Sequence, residues 1–312
     1  MRSQYRQSKK QRAHARTLKD WTMAVSTVDA TFRTLYNDEF KFDFERDVAK
    51  LRLGVRSDGL QRGETVKWDV VDPGDSANTR GRNGSIPISE LGLSQVSASP
   101  SEVFKKYRID SWDEFRGNPN VRAAMSKRGI ATINRNIDQV IIDAMDASAT
   151  DITASTDGAS NQAVSLSTLA RVNNWMSFLL LNDVPFGDGD IFAVISVKAA
   201  LQIQRIAEIK SVDYVDMKIM ADAPATKVMR WQGVNWIPHN GLTGKGTAAC
   251  KMYMWHKSAL GHQISGEPES HPYYYEPEDR FECWYKVAHV AKTILSRGIV
   301  RFYHDDTLAL TA

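Results

Sequence analysis

Thiols are scarce in this chain. Its 312 residues hold two cysteines, Cys250 and Cys283, in no metal-ligand spacing. They read as two reduced thiols of a protein made in a cytoplasm. Long apolar runs are missing too: no stretch approaches the roughly 18 apolar residues of a membrane helix. Residues 1–19 are basic and polar without an apolar centre, so a secretory signal is not expected there. Net charge is only +3, which excludes a polycation, while 42% hydrophobic and 25% charged residues are ordinary for a folded protein. No internal repeat is visible.

Signatures of chemistry are equally thin. There is no Gly-x-Ser-x-Gly elbow and no Walker loop. None of His14, His239, His256, His262, His271, His289 and His304 forms a His-x-x-x-His pair or stands at zinc spacing from a cysteine. Gly244-Lys245-Gly246-Thr247-Ala248-Ala249 fits a loose dinucleotide pattern. It lacks the strand before and the helix after that the motif requires, and reads as a turn. Asp188-Gly189-Asp190 starts like a calcium loop without the later ligands. His256-Lys257 reads as a packed or surface pair, and His304-Asp305-Asp306 as a solvated chain end. Tyr273-Tyr274-Tyr275 has no interleaved basic residues, which makes it a poor nucleic-acid platform and a better packing surface. Catalytic, cofactor-binding and metal residues are therefore all expected to be none.

What is present is organised along the chain. Arg2, Arg6, Lys9, Lys10, Arg12, Arg16 and Lys19 form a basic arm with no acid before Asp20. Such an arm suits either phosphates or the acidic surfaces of neighbouring subunits, and the second reading is favoured. Val25, Val28, Phe32, Leu35 and Tyr36 recur at helical spacing. From Gly54 to Pro100 the chain turns Gly-, Ser-, Asp- and Arg-rich. Val66, Trp68 and Val70 alternate with Lys67 and Asp69 as a half-exposed strand, closed by Asp72-Pro73-Gly74. Ile86 and Ile88 flank Pro87 as an edge strand. Together they predict a long two-stranded ribbon with Arg80 and Arg82 near its tip, too poor in apolar residues to fold on itself.

Asn118-Pro119 is expected to open a helix reaching Ala147, about 40 Å long. Ile130, Ile133, Ile137, Ile141 and Met145 form its apolar stripe, with Arg135, Asp138, Gln139, Asp143 and Asp146 on other faces. Gly129 inside it costs ~1 kcal/mol against alanine. After a polar linker from Thr150 to Gln162, the pattern gives a helix over 166–181, a buried strand Ile191–Ile195, and a short helix through Ile203 and Ile206. Strands follow around Trp231–Trp236, Lys251–Trp255, Cys283–Thr293 and Ile299–Tyr303. The class is α+β.

The order of these segments resembles the Hong Kong 97-like fold of tailed-bacteriophage major capsid proteins, over about residues 40–308. Phe44-Glu45 through Leu53-Gly54-Val55-Arg56, Gly63-Glu64 and Trp68-Asp69 are similar to that family's extended loop. Tyr107-Arg108-Ile109-Asp110 and Asn134 to Ile142, with an Arg…Asp-x-x-Ile-Ile pattern, resemble its spine-helix region. Ser211-Val212-Asp213-Tyr214 and Trp231-Gln232-Gly233-Val234-Asn235-Trp236-Ile237 resemble its axial domain. Trp255-His256-Lys257-Ser258-Ala259-Leu260-Gly261 and Arg297-Gly298-Ile299-Val300-Arg301 resemble its closing strands. The chain departs from the family in its basic extension and in Asp222-Ala223-Pro224-Ala225, where a glycine is usual.

The resemblance implies an N-terminal arm (1–53), an extended β-ribbon loop (54–100), a peripheral domain with the spine helix (101–165), an axial domain (166–270) and a return to the peripheral domain (271–312). It implies a virion protein, assembled in the bacterial host cytoplasm into an icosahedral shell around double-stranded DNA. Its partners would be copies of itself in hexameric and pentameric capsomers. Separate scaffolding, portal and decoration proteins would join them, with packaged DNA touched weakly. An encapsulin-type protein nanocompartment shell shares the fold and is the alternative. Val66, Trp68, Val70, Arg80, Arg82, Ile86 and Ile88 would meet the next subunit, with Trp68 as anchor. Trp68→Ala would then leave the isolated subunit folded.

Overall fold

The computed structural model describes residues 48–58, 63–74, 76–86, 88–116, 121–148, 150–151, 168–206, 229–265 and 269–308. The basic arm (Arg2, Arg6, Lys9, Lys10, Arg12, Arg16), the helix through Val25–Tyr36, Asn118-Pro119, Ser211–Tyr214 and Asp222–Ala225 lie outside the described residues.

The ribbon is an antiparallel hairpin, β1 (Val66–Val71) with β2 (Leu93–Ala98), in which Trp68 faces Val96. The second strand is therefore not at Ile86 and Ile88, which lie in the connection. Side-chain chemistry sets the register: Gln95 donates to Asp69 at 2.7 Å, and Ser94 donates to Asp72 at 3.0 Å. Asp72 N–H also closes on Gly92 O at 2.9 Å.

The chain then enters β3 (Ser101–Asp110), a short helix α1 (Ser111–Arg116) and the long helix α2 (Val121–Ser148), close to the expected bounds. Strands β10 (Glu269–Tyr275) and β11 (Arg280–Thr293) complete an antiparallel sheet in the order β10-β11-β3. Beyond β3, the far end of β11 pairs with β9 (Leu260–Ile264).

Helix α2 lies across this sheet. Met125, Ile133, Ile137, Ile141, Ile142 and Met145 are buried, whereas Ile130, expected in the stripe, is mostly exposed. Gly129 is explained by the same packing. A Cβ there would stand 2.3 Å from the Tyr285 ring, so the helix accepts a glycine in order to sit down on β11.

A second sheet runs in the order β4-β12-β8-β5-β7-β6. Its members are β4 (Thr150–Asp151), β5 (Ile191–Ile195), β6 (Met229–Trp231), β7 (Val234–Pro238), β8 (Cys250–His256) and β12 (Ile299–His304). Strand β5 is buried at every position, as its unbroken apolar run requires. Helix α3 (Leu169–Leu180) covers β12, with Trp175 stacked on Phe302 at 3.7 Å between centroids. Helix α4 (Val197–Ile203) is capped by Ser196, whose Oγ accepts from Ala199 N–H at 3.1 Å.

Residues 269–304 contribute strands to both sheets. β10 and β11 pair with each other and β11 with β3 in the four-stranded sheet, whereas β12 pairs with β8. Its Ile299, Val300 and Phe302 are apolar enough to be a member of the buried sheet. Strand β9 pairs with the end of β11.

Candidate interaction surface

The hairpin has two chemically different halves. At its root, Val66 and Trp68 are buried within the chain itself, Trp68 to 1% exposure. They form a small cluster with Ile294, against which Val70, Val96, Ala98 and Val290 pack half-buried. The indole lies on Gly261, where a Cβ would stand 2.9 Å from Trp68 Cε2. This corrects the expectation that Val66 and Trp68 are left for another subunit. The ribbon is poor in apolar residues, but the cover it lacks comes from β9 and from the end of β11. Val70 shares the cluster and is likewise held by its own chain.

At the far end the surface is different. Ile86 (71%), Ile88 (94%), Leu91 (66%) and Leu93 (72%) stand exposed as one run of large aliphatic side chains. Arg80 and Arg82 are exposed beside them in the same connection. Four neighbouring aliphatic groups in water are an uncovered patch, unlike single exposed residues. Leu91 and Leu93 were missed in the sequence because Gly92 between them reads as loop. The Leu91-Gly92-Leu93 alternation was the available signal.

The outer face of the four-stranded sheet carries a buried charge network. Glu282 is covered by Lys106, Arg280 and Tyr273, with Arg280 Nε 2.5 Å from its Oε1. The Lys106 ammonium, then the Tyr273 hydroxyl, hold its carboxyl down to about 2. His271 stacks on Trp284 at 4.2 Å alongside. A carboxylate depressed on folding supports the fold fully above its ordinary value of 4.5 and loses that support as pH falls toward 2. Urea unfolding midpoints should therefore decline between pH 4.5 and 2, and Glu282→Gln should flatten the decline. An unchanged slope in the variant would assign acid sensitivity to other carboxylates.

Among the described residues, polar nodes also tie distant elements together. Asp138, expected off the apolar stripe, is fully buried. It accepts from Leu51 N–H at 3.1 Å, Lys50 N–H at 3.3 Å and His239 Nε2 at 3.2 Å. Because His239 Nδ1 accepts from Gly241 N–H at 3.0 Å, Nε2 carries the proton. At the end of α2, Asp146 receives Lys251 Nζ at 2.7 Å and Arg301 at 2.8 Å, pinning the helix to the six-stranded sheet.

The third node revises the chain-end reading: His304 and Asp306 are buried, and Asp305 between them is half-buried. Asp306 accepts from Ser196 Oγ at 2.6 Å, His304 Nδ1 at 2.7 Å and Gly246 N–H at 3.1 Å. Burial alone would raise this carboxyl, but the hydrogen bonds from Ser196, Gly246 and His304 outweigh it and hold it low. The trio of serine, histidine and aspartate is not a nucleophilic triad. The carboxylate sits between the other two, so the imidazole cannot take the serine proton. Burial pushes the Cys250 thiol up to about 12, far from a thiolate. The Gly244–Ala249 stretch is a turn, as expected, and Asp188 is exposed in a loop with left-handed Gly187 and Gly189.

Comparison with known proteins gives one family. The family model described as phage capsid protein matches residues 28–289. No curated protein matches the sequence significantly. Among solved structures, a chain of the cyanophage Pam1 capsid asymmetric unit superposes with TM-score 0.71 at 11% identity, covering 90% of this chain and 98% of that one. The capsid of cyanophage P-SCSP1u gives 0.67 at 10% identity, covering 89% and 94%. A chain of the Mycobacterium phage Che8 structure gives 0.66 at 14% identity, covering 87% and 96%. These likenesses show a shared α+β fold of the Hong Kong 97-like type.

Proposed function

The chain belongs to the phage capsid protein family, and from that membership we propose how it builds its shell. It is the major capsid protein, a structural subunit of the virion. Copies associate as hexamers and pentamers and close into an icosahedral shell around double-stranded DNA, assembled in the host cytoplasm. Scaffolding, portal and decoration proteins would be separate chains. Symmetry makes one weak contact count many times over. The family match favours this over the protein-compartment alternative.

The observation that carries the assembly reading is the hairpin tip. Ile86, Ile88, Leu91 and Leu93 contribute nothing to the core of their own chain. Fully buried on a neighbour, each would contribute about 1.5–3 kcal/mol. Arg80 and Arg82 beside them would pair with carboxylates of the next subunit for about 0–1 kcal/mol each. The aliphatic groups therefore dominate, and the contact belongs to the tip rather than to Trp68. The basic arm (1–19) is proposed to lie against neighbouring subunits, its positive charge being uncompensated within the arm itself. No turnover activity is expected: the Ser196, His304 and Asp306 grouping among the described residues is buried and wrongly ordered.

The double variant Ile86→Asp/Ile88→Asp should keep the far-ultraviolet circular dichroism of the parent. It should elute as small species where the parent forms shells by negative-stain microscopy. Normal shells from the variant would remove the tip from the interface.

A further inference from the structure

Strand β9 is where three otherwise separate parts of the subunit meet. The segment 50–58, which runs from the root of the arm into the start of the extended loop, is tied to it by Arg56 N–H to Leu260 O at 2.9 Å and His262 N–H to Arg56 O at 2.9 Å. Asp58 N–H adds a bond to Gln263 Oε1 at 3.2 Å. The hairpin root rests on it through Trp68 over Gly261. Between these two attachments, His262 points inward, fully buried, at His289 of β11.

The hydrogen bonds fix the protons. Asn136 Oδ1 on α2 lies 3.0 Å from His289 Nε2, so that nitrogen donates. His289 Nδ1 must then accept from His262 Nε2, 3.4 Å away. His262 Nδ1 is left as a buried lone pair without a partner. A further proton has no good place. On His262 Nδ1 it makes a buried imidazolium with no acceptor; on His289 Nδ1 it breaks the bond between the rings. The charged groups facing the pair are Arg52 from the turn Leu51–Gly54, which opposes a positive charge, and Asp138 of α2, which favours one. Asn136 and Gln263 are the neutral polar neighbours.

We propose that the His262–His289 pair is an acid-operated latch. Protonation loosens β9 and with it both the segment 50–58 and the docked hairpin. Burial first, then His289 and Arg52, push His262 down to about 4, and burial lowers His289. The sign follows: the latch holds above the ordinary value of 6.5 and weakens as pH falls from there toward 4.

Hydrogen–deuterium exchange on the purified full chain tests this without requiring shells, so its failure is distinct from failure of the assembly reading. For one group moving from about 4 closed to about 6.5 open, the opening population at pH 5 should rise about 20-fold over pH 7. The rise should appear at amides of 54–58 and 260–264 after correction for intrinsic rates, with α3 as an unresponsive control. His262→Gln can donate to or accept from His289 and does not titrate, so its rise should be less than a third of the parent's. A parent rise below threefold, or a variant rise of a third or more of the parent's, overturns the latch. Should the variant not fold at neutral pH, histidine titration by NMR of the parent decides. An imidazole titrating near 4 in step with the lost protection sustains the latch; protection lost where no buried histidine titrates overturns it.

Discussion

Replacing Trp68 by alanine should release the hairpin from its own subunit, before any neighbour is involved. The indole is enclosed by Val66, Ile294 and Gly261, and truncating a buried tryptophan costs about 3–5 kcal/mol. The cluster is small and separate from the main core, so the loss should fall on β1 and β2, leaving α2 and the six-stranded sheet intact. The expected record is fast exchange and tryptic cleavage across 63–98 in the isolated subunit, with circular dichroism nearly unchanged and shells absent. If the isolated subunit keeps its protection while shells fail, Trp68 meets a neighbour after all. The unpartnered indole Nε1 sharpens the point. Trp68→Phe keeps much of the apolar contact without that buried donor, and should cost far less than alanine.

Asp138→Ala should be the most damaging single change in the junction between the two sheets. It strips the acceptor from Lys50 N–H, Leu51 N–H and His239 Nε2 at once, in a site with 0% exposure of both partners' side chains. Each buried donor left without its acceptor typically costs about 1–3 kcal/mol, and here three are stranded together. Asp138→Asn should lose less, about 1–3 kcal/mol, because the amide oxygen can still accept. However the amide is turned, one N–H meets another donor. Urea unfolding of the isolated subunit measures both, and the ordering alanine worse than asparagine is the critical outcome. Equal and small losses would mean that water replaces the carboxylate and that the arm root is not held by this node.

Local pattern carried a good deal of this molecule. The fully apolar Ile191-Phe192-Ala193-Val194-Ile195 could only be an interior strand. The spacing of Ile130, Ile133, Ile137, Ile141 and Met145 pointed to one long helix, and of that stripe only Ile130 stayed exposed. Alternation around Trp68 named a strand, and the order of such segments pointed to the capsid fold. All of these depend on neighbours two, three or four residues away, and that geometry is written in the chain itself.

Tertiary structure alone decided what covers each face. Trp68 is capped by Gly261 and Ile294, Gly129 is a glycine because Tyr285 lies over it, and Asp138 turns inward because an arm and a histidine arrive there. The His262–His289 pair exists only because β9 and β11 are adjacent. An alternating strand has two faces that periodicity cannot rank; the one that goes inside is the one for which the fold supplies a partner. That supply comes from parts of the chain far away in sequence, so it belongs to the assembled fold and not to the local pattern.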